Sequence, residues 1–380
     1  MTNPVTYPSE TLHVNLSGGR DYNIHLTSGG LGASAGEIIA GVARSRRAVI
    51  ITQPNIARRW AAPLVQSLAK SGFAEVPIVT FPAGERYKNL GTMARLCDKL
   101  YNLSATVDRK TLIIALGGGI VGDIAGFVAS IYLRGLDYVQ IPTTLLAMVD
   151  SSVGGKTGVD FQAGKNLVGA FHQPRAVLID LETLRTLPVR ETRAGMGEVI
   201  KYGVIRDPEL LTRSQEQAAD VEALKPEALL PLVRRSCEIK AEVVEQDEFE
   251  ETGLRAILNY GHTIGHALES ATNYRRYRHG EAVAAGMMAA AAIGEEAGIT
   301  PPMLRPALEA ALAAYCLPTA LPADVPHDDL LALIGRDKKA VAGQARFVLA
   351  HSIGNVELMN DIAETTVRNG LLKVTEGANA

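Results

Sequence analysis

Residues 111–166 read TLIIALGGGIVGDIAGFVASIYLRGLDYVQIPTTLLAMVDSSVGGKTGVDFQAGKN. Residues 111–116 are an apolar run of strand length that leads into three consecutive glycines. A helix with spaced glycines follows, then a second apolar strand at 138–141, then a polar run of Asp, Ser, Gly and Lys. This is the layout of a nucleotide pocket joined to a reaction site. Gly117, Gly119 and Gly122 satisfy G-x-G-x-x-G directly after a strand. Glycines let a backbone approach a pyrophosphate, and the helix N-terminus offers donors and partial positive charge. The turn sits in a later βα unit, however, and no acid ends the next strand; Asp123 follows the turn instead. An ordinary tight turn with an acid on the helix dipole produces the same pattern, so the turn alone does not establish a nucleotide site.

Outward from this stretch, residues 12–16 and 22–26 alternate around Ser17-Gly18-Gly19-Arg20 and predict a hairpin. Strands are expected at 47–52 and 76–81, and helices at 36–43, 56–71 and 89–103. Strands alternating with helices predict a mostly parallel sheet covered on both faces. Beyond about residue 187 the strand signals fade. Helices are expected at 198–205, 228–244, 260–272, 281–297, 303–314, 328–334 and 364–372, with extended segments only at 346–349 and 356–359. The expected fold is therefore an α/β N-terminal domain with a mostly parallel, Rossmann-like sheet (1–187) and a mainly α-helical C-terminal domain (188–380).

The length of 380 residues suits two domains, and 47% hydrophobic residues allow a sizeable core. A net charge of -3 argues against nucleic acid or an anionic membrane as partner. Cys97, Cys237 and Cys316 have no CxxC spacing and suggest neither a disulfide framework nor a zinc knuckle. The N-terminus MTNPVTYPSE lacks the features of a signal peptide, and the longest apolar run, 282–293, is too short to span a bilayer. A cytoplasmic protein is expected.

Chemistry-bearing residues gather in several places. After the strand at 76–81, Glu85 can accept bonds from ribose hydroxyls and Lys88 can meet phosphate, although a charged surface loop reads the same way. Glu198 and Lys201 lie three apart on one helical face. Asn259, His262 and His266 share a face too, joined by Arg255 if that helix extends back, and His279-Gly280-Glu281 opens the next helix. Such groups are costly to bury without partners, which favours a site over a structural core. By spacing, His262 and His266 are the natural zinc pair, but the H-E-x-x-H base is missing and a third ligand is required. Glu198 and His279 are both candidates, and spacing does not choose. Arg134, Lys156, Lys165, Lys201, Lys240, Arg255, Lys338 and Lys339 suit a small substrate with two anionic groups. Solvated surface lysines explain any one of them, least well Lys156 in its small-residue surroundings.

The segments GGGIVGDIAGFVASIYLRG, QIPTTLLAMVDSSVGGKTGVD, GKNLVGAFHQP, GEVIKYGVI, LNYGHTIGHALE, HGEAVAAGM and RDKKA together resemble 3-dehydroquinate synthase, a family of sugar phosphate cyclases. The resemblance implies a carbon–oxygen lyase of the shikimate pathway that releases phosphate from a sugar phosphate, using NAD and a divalent metal, zinc or else cobalt. It implies metal ligation by Glu198, His262 and His279, which leaves His266 to substrate or phosphate. It implies substrate contacts at Asp150, Lys156, Lys201, Lys240, Arg255, Asn259, His266 and Lys338 or Lys339. NAD contacts are implied at Asn55, Glu85, Lys88, Gly118, Gly119, Ile120, Asp123, Thr143, Thr144, Lys156, Lys165, Thr183 and Thr186. Arg134 matches an arginine that reaches the partner subunit's site, so a homodimer is implied. Gln53 stands where many relatives carry an aspartate near the adenosine. The alternative within the family is a cyclase of the 2-epi-5-epi-valiolone or 2-deoxy-scyllo-inosose synthase type; retention of Lys240, Arg255, His266 and Asp337-Lys338-Lys339 favours the carboxylate-bearing substrate.

Overall fold

The computed structural model describes residues 9–103, 107–162, 164–335 and 346–377. Lys338 and Lys339 therefore lie outside the described residues. The chain divides into two compact units, Met1–Leu187 with Lys240–Phe249, and Pro188–Ile239 with Glu250–Ala380. The grouping of 240–249 with the first unit departs from a single boundary after residue 187.

The first unit holds β1 (Glu10–Val14), β2 (Tyr22–Thr27), β3 (Ala48–Thr52), β4 (Ile78–Thr80), β5 (Leu112–Gly117), β6 (Tyr138–Pro142), β7 (Lys156–Phe161), β8 (Gly164–Phe171) and β9 (Ala176–Asp180). Seven of them form one sheet in the order β1-β2-β9-β6-β5-β3-β4. Only the β1–β2 hairpin is antiparallel; every other pair in this sheet is parallel. Side chains alternate across the pleat, so each buried strand feeds two cores. On β5, Leu112, Ile114 and Leu116 pack with Ile39, Leu64 and Leu68 on one face. Ile113 and Ala115 pack on the other face with Leu96, Leu100, Ile124 and Val128. Each fully buried Leu or Ile contributes about 1.5–3 kcal/mol.

The expected strands and helices up to β6 are present, with ends shifted by a few residues. Three strands were not anticipated. β9 is a five-residue run, AVLID, buried throughout. Such short apolar runs do not reveal their period. It nevertheless joins the N-terminal hairpin to the parallel strands through β2 and β6. The antiparallel β7–β8 pair was hidden by its glycines. Gly158 faces Gly169 in register. A Cβ on Gly169 would stand 2.0 Å from the Thr157 carbonyl oxygen, so the close approach needs glycine.

The second unit is mainly helical, with one antiparallel pair, β10 (Phe347–Ser352) and β11 (Asn355–Met359). Its first helix, Val189–Ile205, starts a full two turns before the apolar segment at 198–205 that announced it. Helices at Pro208–Glu216 and Ala218–Glu222 were not anticipated; Asp207 caps the first by accepting a bond from the Leu210 amide at 3.1 Å. Among the described residues no helix is long and apolar enough to cross a membrane.

Candidate active site

In the second unit, the alanine-rich helix His279–Glu296 is buried on all sides from Gly280 to Gly294. Its glycines bring neighbouring backbones into contact. A Cβ on Gly280 would lie 1.8 Å from the Ala194 carbonyl oxygen of helix Val189–Ile205. One on Gly286 would lie 2.1 Å from the Gly261 carbonyl oxygen, at the start of helix His262–Ala271. Three helices held this close allow short side chains to converge. His262 Nε2 and His279 Nε2 each lie 3.5 Å from Glu198 Oε1.

The other ring nitrogens explain the orientation. His262 Nδ1 donates to the Tyr260 carbonyl oxygen at 3.2 Å, and His279 Nδ1 to Glu269 Oε2 at 3.4 Å. With Nδ1 engaged, each imidazole turns Nε2 toward the same carboxylate oxygen, the arrangement a divalent cation requires. Glu198 is fully buried and its other oxygen pairs with Lys201, itself 1% exposed. Burial holds the His262 imidazole well below its ordinary range despite Glu198, which keeps it in the neutral, ligating form. For His279 burial acts the same way, but hydrogen bonds and charge from Glu198 and Glu269 outweigh it and push the group up to about 10. The same negative field favours any cation placed between these side chains.

His266 joins the cluster. Its ring centroid is 5.3 Å from that of His262 and 5.8 Å from that of His279. Ligand atoms of His262, His266 and His279 lie within 4.8 Å of one another. Two ligand triples thus share His262 and His279 and differ in the third member. Charge favours Glu198, because a divalent ion in a buried site is better neutralised by a carboxylate than by a third imidazole.

Asn259 and Arg255 do not continue the histidine helix backwards, as the spacing suggested. They lie in a separate 3-10 segment, Leu254–Asn259. Gly261, at φ 78°, breaks the path just before His262. Arg255 is buried, its Nε 3.8 Å from Glu250 Oε1. Glu269 was missed by the sequence reading, though it stands seven residues after His262 on the same helical face.

In the first unit, the candidate cofactor residues collect after the C-terminal ends of parallel strands, where open α/β sheets bind ligands. Asn55 follows β3, Glu85 and Lys88 follow β4, and Gly118, Gly119, Ile120 and Asp123 follow β5. Thr143 and Thr144 follow β6, and Thr183 and Thr186 follow β9. Gly118 caps helix Gly119–Ile131 without any side-chain bond. A Cβ at Gly118 would meet Thr144 at 3.0 Å. Lys88 is buried, its Nζ 2.6 Å from Asp123 Oδ2 and also bonded to Asn166 Oδ1. Burial pushes the Asp123 carboxyl up while Lys88 pulls it back. Lys165 lies 3.8 Å from Glu85. Thr186 Oγ1 accepts the Trp60 indole N–H at 3.0 Å, and Thr183 Oγ1 donates to the Asp180 carbonyl oxygen at 2.8 Å.

Asp150 sits in a π-helical turn, Ala147–Ser151, a local irregularity often found at functional sites. Lys240 Nζ donates to both its Oδ1 and its carbonyl oxygen at 2.7 Å. Lys156 is exposed at the first position of β7. Arg134 is exposed as well, and it and Leu133 hold consecutive positive φ angles of 66° and 51°. Side chains rarely adopt that conformation without compensation elsewhere.

Residues 78–194 match the family described as 3-dehydroquinate synthase N-terminal, and residues 195–340 the family described as 3-dehydroquinate synthase C-terminal. A 3-dehydroquinate synthase of Synechococcus sp. is 48% identical over 354 residues, covering 92% of this chain and 95% of that protein. Among solved structures, a 2-epi-5-epi-valiolone synthase from Streptomyces hygroscopicus subsp. jinggangensis 5008, with NAD+ and Zn2+ bound, superposes with a TM-score of 0.83 at 27% identity, covering 93% of this chain and 96% of that one. A 2-deoxy-scyllo-inosose synthase complexed with carbaglucose-6-phosphate, NAD+ and Co2+ gives 0.83 at 26% identity, covering 95% and 99%.

Proposed function

The chain belongs to the 3-dehydroquinate synthase family, and we propose that it converts 3-deoxy-D-arabino-heptulosonate 7-phosphate to 3-dehydroquinate and phosphate, in the cytoplasm, with NAD and a divalent metal. The observation that carries the reading is the convergence of His262 and His279 on buried Glu198, a donor set that fits zinc or cobalt. A cyclase of the valiolone or inosose type is the second reading. The 48% identity to a 3-dehydroquinate synthase, against 26–27% to those two structures, favours the first.

When bound, NAD supplies reversible hydride removal from a carbinol, which acidifies the neighbouring C–H so that phosphate can leave, and the metal supplies Lewis acidity at that carbinol. Glu198, His262 and His279 hold the metal. Lys201 balances the Glu198 carboxylate and, with Arg255, Asn259 and His266 of the same unit, offers donors for an anionic end of the substrate; in the first unit, Lys156 and Lys240 are the proposed substrate contacts. Asp150 fixes the Lys240 ammonium through the two bonds described above. Residues at the strand ends of the first unit, from Asn55 to Thr186, take NAD, with Gly118 and Gly119 letting the pyrophosphate approach helix amides.

The test is incubation with the heptulosonate phosphate and substoichiometric NAD, following phosphate release and product absorbance. Many turnovers per NAD are expected. Net accumulation of NADH without phosphate would point instead to a dehydrogenase.

Two further outcomes follow from this reading. His279→Ala is expected to lose its metal, while His266→Ala keeps it and loses turnover; metal analysis of the purified variants separates them, and the reverse pattern would put His266 in the place of His279 in the ligand set. Arg134 is proposed to serve the active site of a second subunit in a homodimer, its strained, exposed turn presenting the guanidinium outward. Mixing Arg134→Ala chains with Lys156→Ala chains should then regain up to about a quarter of wild-type activity, since random pairing makes half the dimers mixed and each mixed dimer has one intact site. No recovery in verified heterodimers would argue against the shared site.

A further inference from the structure

We propose that Glu269 is a positioning residue for the metal: it accepts the Nδ1–H of His279 and so fixes that ring with Nε2 toward Glu198. The inference rests on the metal reading above. Glu269 is 4% exposed, and its Oε2 lies 3.4 Å from His279 Nδ1. A buried carboxylate is unfavourable unless something holds it, and here the imidazole N–H does. The two histidine ligands are supported unequally. His262 leans on a neutral backbone carbonyl, that of Tyr260, whereas His279 leans on a carboxylate. A carboxylate behind an imidazole locks the tautomer and raises the basicity of the opposite nitrogen. His279 is therefore the stronger donor of the pair.

Placement supports the same conclusion. Glu269 and His262 share one helix, His262–Ala271, and His279 begins another. The His279–Glu269 bond therefore ties the ligand at the start of one helix to the last turn of the helix before it. It fixes the ring independently of the glycine contacts that set the helix spacing.

The test uses the full chain, freed of metal and titrated with Zn2+ against a chromophoric chelator, and separately with Co2+ followed by its visible absorption. Glu269→Leu is expected to weaken Zn2+ binding by roughly 10- to 100-fold. Glu269→Gln keeps the shape and an acceptor oxygen, so it should fold as wild type and fall between the two. The Co2+ spectrum should shift in both variants. In a His279→Ala background Glu269→Gln should change affinity little, because the residue acts through that ring. Wild-type Zn2+ affinity and an unchanged Co2+ spectrum in both Glu269 variants would overturn the inference while leaving the metal site in place. Failure of the wild-type chain to bind Zn2+, or unchanged binding in His279→Ala, would overturn the metal reading and this inference with it.

Discussion

Glu198→Gln is expected to produce a protein that purifies without its metal and has lost roughly three orders of magnitude of turnover, the rate equivalent of the several kcal/mol a Lewis acid supplies. The change is isosteric, so the space is filled and only charge is removed. Two consequences follow from one missing charge. The oxygen 3.5 Å from both His262 Nε2 and His279 Nε2 no longer offers a negative ligand. Lys201, 1% exposed and paired with the other oxygen, is left beside a neutral amide. Breaking a buried pair on one side typically destabilises by about 3–5 kcal/mol, so the urea midpoint should fall together with the metal content. Double replacement, Glu198→Gln with Lys201→Met, should recover part of the stability but none of the metal. If Glu198→Gln kept full metal and activity, the ligand set would have to be drawn from the three histidines instead.

Gly280→Ala should cost stability at or above the upper end of the about 1–3 kcal/mol usual for overpacking, with a matching loss of metal affinity. The added Cβ would stand 1.8 Å from the Ala194 carbonyl oxygen, a backbone atom that no rotamer change can move. Relief requires helices Val189–Ile205 and His279–Glu296 to separate, and these carry Glu198 and His279. Gly41→Ala is the matched control. It lies in helix Ala35–Val42 with nothing within 4 Å of its would-be Cβ, and is expected to stabilise by about 0.5–1 kcal/mol through helix propensity. Equal melting temperatures for Gly280→Ala and wild type would remove glycine contact as the reason these ligands converge.

Some of this was visible in the chain of letters and some was not, for identifiable reasons. Apolar runs such as residues 112–116 announce buried strands because both faces are covered and every residue is apolar. Histidine, glutamate and lysine at helical spacing announce a site because burying them without partners is unfavourable. Strand β9, by contrast, is too short to show a period, and β7 and β8 carry the glycines that usually mark turns. The break at Gly261 depends on a single positive φ, which separated Asn259 and Arg255 from the helix of His262. The grouping of residues 240–249 with the first unit depends on contacts far apart in sequence. Lys240 bonds Asp150 and Glu245 accepts the Asn15 amide, both from the last two turns of helix Pro226–Gln246, and Glu248, just past its end, pairs with Arg20.

Local information in the sequence was therefore enough for the α/β-then-helical order, the family and the residue types of the centre, since these depend on periodicity and on motifs that are contiguous in the chain. The approach of His262 and His279 to Glu198, the contact of Glu269 with His279 and the bonds from Lys240 to Asp150 belong to the tertiary structure alone. Each joins residues on separate elements through distances set by backbone packing. The glycines that permit those distances look, in the sequence, no different from glycines in open turns.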